Sequence, residues 1–540
     1  MKNLTLPAIL LAAVSLTAYA APENDPLLEA RLQAHITFLA DDLLRGRQPG
    51  TEGYDIAANY VASQFRQMGL TPAGDDGSYL QEVPLLRADM GEGSARMVLH
   101  RDGEETRFEF GEQFFSGPSK AHLESSVEAE MVFVGYGIHA PSLEYSDYEG
   151  LDVRGKIVVS LFGKPQDFPS EEGAHYSSGR EQTRAAVERG AIGMVTVYTP
   201  RTEKIFTWSK LQTMIGMPSM GWLDEQGKAY ASFPEIRGGA LIHHEAAAAL
   251  FDGAPQSIEA LIELDAEGER LPGFDLQGSL RLARSSSHQV ISSSNVAAVL
   301  PGSDPLLSKE FVVYTAHLDH IGEMHGDDHD DVINNGALDN AAGISVMLET
   351  ARLMKEKQPR RSVLFLAVTA EEKGLVGSEY FANNPTVPVE QMAGLVNLDM
   401  PLLLYDFADV IAFGAEHSTM KEAVAQAAAD SGVSLTPDPF PEQNIFVRSD
   451  HYRFVQQGVP AVFLVTGTTT MDGGTEAQEI FEGFLKDHYH MPSDDLSQPI
   501  NYAAAARFTR INTRIGEIIG NQLERPRWNE GDFFGDTFGR

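Results

Sequence analysis

Six residues have the types and settings of a metal-bound hydrolytic centre: His317, Asp339, Glu371, Glu372, Asp399 and His490. Two imidazoles and three carboxylates suit a pair of zinc ions, and cobalt or manganese accept the same donors. Two metals ~3.5–4 Å apart share a bridging water, lower its pKa and polarise a carbonyl. The remaining acid is then free to act as general base. Glu371 and Glu372 are adjacent, so at a buried strand end they repel one another and lose hydration. A metal for one and a proton-accepting role for the other resolves the conflict, and Glu371 is the candidate base. Asp339 stands at the entry of a helix, where it is either an N-cap or, through its two oxygens, a bridge between metals. Asp319 lies two residues from His317, on the same face of an extended strand end. It would accept the other ring N–H of His317 and fix its tautomer.

The elements that must position these groups are legible. His317 follows the apolar run Phe311-Val-Val-Tyr-Thr-Ala316, the Glu pair follows Val363 to Ala370, and Asp399 follows Leu395-Val-Asn-Leu398. Three strands therefore end in candidate ligands, and the carboxyl ends of strands are where open α/β sheets bind ligands. From Asn295 the chain alternates strands and helices, which predicts an α/β fold: a three-layer α/β/α sandwich on a mixed, mainly parallel central sheet. Helices are expected on Leu28, Leu32, Ile36, Leu39 and Leu43, then from Tyr54 to Met68 with Ile56, Tyr60, Val61, Phe65 and Met68 buried. Between them runs the Gly-rich turn Gly46 to Gly53. The helix after Asp339 carries Ile344, Met347, Leu348, Ala351 and Met354 on one face. From about 120 to 285 the texture changes to short strands (131–134, 156–160, 193–198) with one helix at 180–189, and Ser285-Ser-Ser-His288 reads as the exit loop. A final helix spans about 503–523, with a poorly ordered tail beyond Arg525.

Ala316-His-Leu-Asp319, Gly336-Ala-Leu-Asp-Asn340, Glu371-Glu372, Asn397-Leu-Asp399 and Tyr489-His-Met-Pro-Ser-Asp494 resemble, in order, the motif series of the bacterial di-zinc aminopeptidases. Glutamate carboxypeptidase II and the transferrin receptor are relatives of that family. The resemblance implies one zinc on His317, Asp339 and Asp399 and another on Asp339, Glu372 and His490, with Glu371 as base and Asp319 orienting His317. It also implies a cis peptide at Asp339-Asn340. His488 competes with His490 by position, and the family pattern favours His490. The stretches Asp147 to Gly150, Asp152 to Val159 and Ala185 to Gly193 resemble a protease-associated (PA) domain, whose usual implication is a lid without chemistry of its own. Ser449-Asp-His-Tyr-Arg-Phe454 is family-like and expected near the substrate pocket, with His451 structural rather than a ligand. The resulting division is a signal peptide over 1–20, peptidase parts over 21–118 and 289–525, a β-rich PA insert over 119–288, and a tail over 526–540.

Acidic residues number 77 against 41 basic ones, a net charge of −36, so nucleic acid and anionic membranes are poor partners. Lys2, the apolar stretch from Leu4 to Thr17 and Ala18-Tyr19-Ala20 read as a secretory signal, with export to periplasm or medium and a mature start near Ala21. No later stretch offers ~20 uninterrupted apolar residues. The chain has no cysteine, which excludes disulfides, a thiol nucleophile and a lipid-anchored cysteine. The acidic run from His325 to Asp331 is either a solvated loop or an accessory cation site. The expected partners are peptides with a free N-terminus, with no membrane anchor and the oligomeric state left open. Carboxypeptidase, glutaminyl cyclase-like and catalytically dead binding relatives are the alternatives to an aminopeptidase. The fifty residues after His490 are too few for the carboxypeptidase branch's helical dimerisation domain.

Overall fold

A computed structural model describes residues 25–204, 206–324, 331–439, 441–474 and 476–539. The expected leader over 1–20, the start near Ala21 and most of the acidic run from His325 to Asp331 lie outside the described residues. Helix Pro26–Leu39 begins at the Asp25 cap and buries Leu28, Leu32, Ile36 and Leu39. It stops sooner than the leucine spacing suggests. Asp41 caps a new turn over Asp42–Arg47, and Leu43 points outward at 83% exposure. Helix Glu52–Met68 runs from the Thr51 cap to Gly69, whose φ of +68° ends it. Its buried stripe passes through Tyr54, Ala57, Val61, Phe65 and Met68, so Ile56 is exposed and Tyr60 sits at the margin.

The central sheet has the spatial order Ser219–Trp222, Leu80–Met90, Phe274–Leu300, Ser362–Val368, Phe311–His317, Met392–Asn397, Ala461–Thr466, Asp409–Phe413 and Ser434–Thr436. The four middle strands, from Ser362–Val368 to Ala461–Thr466, are mutually parallel, with antiparallel pairings flanking them. Such strands are covered on both faces and read as unbroken apolar runs, as Val363 to Val368 does. One face packs on helices Pro26–Leu39, Glu52–Met68, Ala342–Lys357, Met420–Asp430 and Tyr502–Asn521. The other packs on Val376–Asn383 and His451–Val455. The fold is the expected three-layer α/β/α sandwich.

A second sheet has the order Glu104–Phe108, Arg96–Arg101, Phe274–Leu300, Glu124–Phe133, Ile157–Leu161, Gly193–Tyr198, Gly239–His243 and Phe114–Phe115. It carries more helix than the sequence suggests. Beside Gly179–Glu188 stand Ser170–Tyr176, His244–Phe251 and Ile258–Glu267. Each of these spans only two or three turns, too short for an apolar period to stand out.

Two further expectations fail. Ser285-Ser-Ser-His288 is no exit loop but the middle of the 27-residue strand Phe274–Leu300, which belongs to both sheets. Its polar residues sit where the strand passes between two cores, with Ser286 and His288 bonded to Ser119. The tail is ordered too. Trp528 Nε1 donates to the Gly458 carbonyl, Asp532 meets His417 at 2.5 Å, and helix Phe533–Phe538 buries Phe533 and Phe534. Two aromatics next to Asp532, which caps their helix, are enough to dock it.

Candidate metal centre

Three adjacent parallel strands, Ser362–Val368, Phe311–His317 and Met392–Asn397, present their carboxyl ends side by side, with His317 level with Val368. Two connections follow them. The turn Glu371–Lys373 comes from the first, and Leu398-Asp399 from the third. Asp339 enters from the loop before helix Ala342–Lys357, through a cis Asp339-Asn340 peptide, and His490 from the loop after helix Glu476–Asp487.

His317 Nε2 lies 3.0 Å from Asp399 Oδ1 and 3.2 Å from Asp339 Oδ1. His490 Nε2 lies 3.3 Å from Asp339 Oδ2 and 3.1 Å from Glu372 Oε2. The two oxygens of Asp339 thus face two different donor sets. His317, Asp319 and Asp339 are almost wholly buried. His488 turns away and bonds the Ser493 hydroxyl. His451 is buried against Phe446 and Phe463, outside the centre.

Asp319 does not touch His317 through its carboxylate. The strand ends at His317, so the alternation of faces no longer holds at Asp319. The Asp319 backbone carbonyl instead meets His317 Nδ1 at 3.1 Å. Its carboxylate accepts the Glu371 and Glu372 N–H groups at 3.0 and 3.3 Å and shapes the turn that carries both glutamates.

Adjacent in sequence, those glutamates diverge in surroundings. Burial acts against ionisation of Glu372, but His490 and the bond from His320 outweigh it and hold its carboxyl well below the ordinary range. Burial pushes Glu371 well up, and the nearby charges of Asp399 and Asp450 add to that against His317. Burial alone would lower His490, yet Glu372 and Asp339 raise it to about 9. A group poised to hold a proton and one fixed as an anion stand side by side.

Several residues in the centre were not singled out from sequence. His320, fully buried, brings Nδ1 within 2.7 Å of Glu372 Oε1 and 3.8 Å of Asp339 Oδ2, so it either orients Glu372 or joins its donor set. Its position one residue after Asp319, in a segment already rich in ligands, was the available signal. Asp494 accepts the Leu338 and Asp339 N–H groups at 2.9 and 3.0 Å. Thr315 donates to Asn397, Asn397 to Ser449, and Ser449 to Asp399 Oδ2 at 2.6 Å. Ser449 therefore aligns a carboxylate, where a pocket-shaping role had been expected of its segment. Arg47, 1% exposed, comes from the Gly-rich turn. It donates to the carbonyls of Leu318, Asn335 at 2.5 Å, Gly336 and Leu39. It braces the segments bearing His317 and Asp339, and burial lowers its pKa to about 10 against the pull of Asp339, Asp494, Asp319 and Glu372.

The donor set fits divalent cations. Asp319, Asp339, Asp399, Asp450 and Asp494 are buried together with the partly buried Glu371 and Glu372 beside them, and neither oxygen of Asp450 finds a hydrogen bond among the described residues. So many carboxylates in a dry site need positive charge beyond Arg47 and Lys373. The donors fall into a set of His317, Asp339 and Asp399 and one of Asp339, Glu372 and His320 or His490.

Residues 295–515 match the model of Peptidase family M28. Among curated proteins, a probable leucine aminopeptidase 2 of Aspergillus fumigatus is 28% identical over 214 residues, 38% of this chain and 40% of that protein. A probable zinc metalloprotease of Phaeosphaeria nodorum is 34% identical over 85 residues, 15% of this chain and 17% of that one. The chain therefore spans less than half the length of these relatives. Among solved structures, an aminopeptidase from Aneurinibacillus sp. strain AM-1 superposes with a TM-score of 0.53 at 19% identity, covering 93% of this chain and 98% of that one, a likeness of fold.

Proposed function

We propose, from the match of residues 295–515 to the model of Peptidase family M28, that this chain is an exported zinc aminopeptidase carrying two zinc ions. The observation that carries the reading is the split of Asp339, whose Oδ1 faces His317 and Asp399 while Oδ2 faces His490 and Glu372. His317, Asp339 and Asp399 would hold one ion, and Asp339, Glu372 and His490 the other. Zinc there supplies Lewis acidity, lowering the pKa of water and polarising a carbonyl.

The chain's own residues do the rest. Glu371, unencumbered by a histidine bond and raised by burial, takes a proton and returns it to the leaving amine. Asp319 fixes the turn that aims Glu371, and the Thr315–Asn397–Ser449 relay holds Asp399. Asp494 and Arg47 hold the Asp339 loop from two sides. The substrate would be a peptide with a free α-amine held beside the metals. The leader-like first twenty residues support export, and the PA-like segment supports a role in substrate access. The test is turnover of free peptides beside their N-acetylated forms, with zinc counted per chain. Cleavage that survives acetylation, or fewer than two zinc ions, overturns the assignment.

A further inference from the structure

The second sheet has a cluster of metal-ligating groups of its own, far in sequence from the centre above. Strand Gly239–His243 ends in His243, helix His244–Phe251 begins at His244, and Glu203 closes the short helix Pro200–Glu203. One ligand atom of each lies within 4.8 Å of the others. His243 Nε2 and Glu203 Oε1 are 3.7 Å apart, too far for a hydrogen bond. That is close to the ~3.4 Å between two donors each ~2.1 Å from one tetrahedral zinc.

The tautomers also suit a ligand. The His244 ring bonds the Tyr198 carbonyl, while its Nδ1 is buried with no hydrogen-bond partner among the described residues. A histidine whose N–H is spent on a carbonyl turns a lone pair, on the opposite nitrogen, toward whatever fills the space. His243 Nδ1 accepts the Glu245 N–H at 3.4 Å as the helix cap, and Glu245 Oε2 lies 3.8 Å from the same nitrogen, so protonation of Nδ1 would exchange the cap for that carboxylate when Nε2 is a ligand. All three residues are only partly buried, so a cation and a fourth, water ligand could reach them.

We propose that Glu203, His243 and His244 form an accessory site for a zinc-type divalent cation, separate from the Asp339 centre. Its place in the fold gives it a use. The segment after Glu203 carries Trp208, edge-on to His243 at 5.1 Å, and Lys210. Lys210 Nζ donates to the Leu485 carbonyl and lies 5.3 Å from the Tyr489 ring, which stacks on His490 at 3.8 Å. A cation joining Glu203 to the histidine pair pins one end of a segment whose other end rests on the loop of His490.

The test is zinc counted on the full chain after gel filtration, in wild type, His244→Ala, Glu203→Gln and Asp339→Asn. Wild type should carry one zinc more than either His244→Ala or Glu203→Gln. Asp339→Asn should keep one zinc, which a further His244→Ala removes. After chelation of that zinc, added Co²⁺ should quench Trp208 emission in Asp339→Asn, and Trp208→Phe should abolish that quenching. Equal counts in wild type, His244→Ala and Glu203→Gln would overturn the accessory site. A loss of zinc confined to Asp339→Asn would at the same time leave the two-zinc reading of the main centre standing.

Discussion

Both sheets place histidines at the carboxyl ends of parallel strands, His317 in one and His243 in the other, yet the two neighbourhoods differ in kind. Around His317 five carboxylates are buried and two more partly buried, with Arg47 and Lys373 as nearby cations, whereas His243 and His244 share a half-exposed edge with Glu203. Solvent can satisfy the second set. The first set has no such recourse, because isolated buried charge costs several kcal/mol per ion. Ligand type alone does not distinguish these places. Burial does, and it makes cations a condition of stability in one and an option in the other.

The largest effect should come from Asp339→Asn. It removes a donor facing both halves of the centre, so both zinc ions of that centre should go and turnover should fall by at least ~10³, read by metal analysis and kcat. If Asp339→Asn combined with His244→Ala, which lacks the accessory site, retains one tightly held ion, the symmetric view of the two Asp339 oxygens fails. Glu371→Gln should keep both ions and lose roughly 10²–10⁴ in kcat, a split of metal content from rate that no ligand substitution would give.

Arg47→Met should act through packing. It strands the carbonyls of Leu318, Asn335, Gly336 and Leu39, at about 1–3 kcal/mol for each buried unsatisfied group, so Tm should fall and zinc should bind more weakly. An unchanged zinc affinity beside a lower Tm would make Arg47 a brace for the fold alone.

The smallest effect belongs to the C-terminal tail. Burial lowers His417, but Asp532 and Glu171 outweigh it and raise its pKa to about 9. A raised histidine adds stability that is complete below its unfolded value near 6.5 and is lost as pH climbs through about 9. The contribution is on the order of 3 kcal/mol. His417→Gln should lower Tm at pH 6 and hardly at all at pH 10, and an equal loss at both would refute the ion pair as its source.

The parts legible in the sequence were those written locally. An apolar run ending in an acid or a histidine announces a buried strand and a group it must compensate, so the positions of His317, Glu371, Glu372 and Asp399 at strand ends could be read directly. Face parity misled for Asp319, because parity holds only while a strand continues, and this one stops at His317. The bracing roles of Arg47, Asp494 and Ser449 could not be read because their partners are backbone groups or side chains far along the chain. No spacing encodes such pairs. Ser285 to His288 misled through composition, since small polar residues suit both a loop and a strand crossing between two cores.

That crossing strand has a mechanical consequence. Phe274–Leu300 is one strand with a contour of roughly 90 Å at ~3.3 Å per residue, bulged between Leu276 and Ser279, laced into the second sheet at its start and into the central sheet at its end. It works as an axle keyed to two wheels. Torque on the second sheet would be delivered to the part of this strand beside Ser362–Val368, whose far end leads to the glutamate pair. A hinge would isolate the two sheets, while an axle makes them turn, and melt, together.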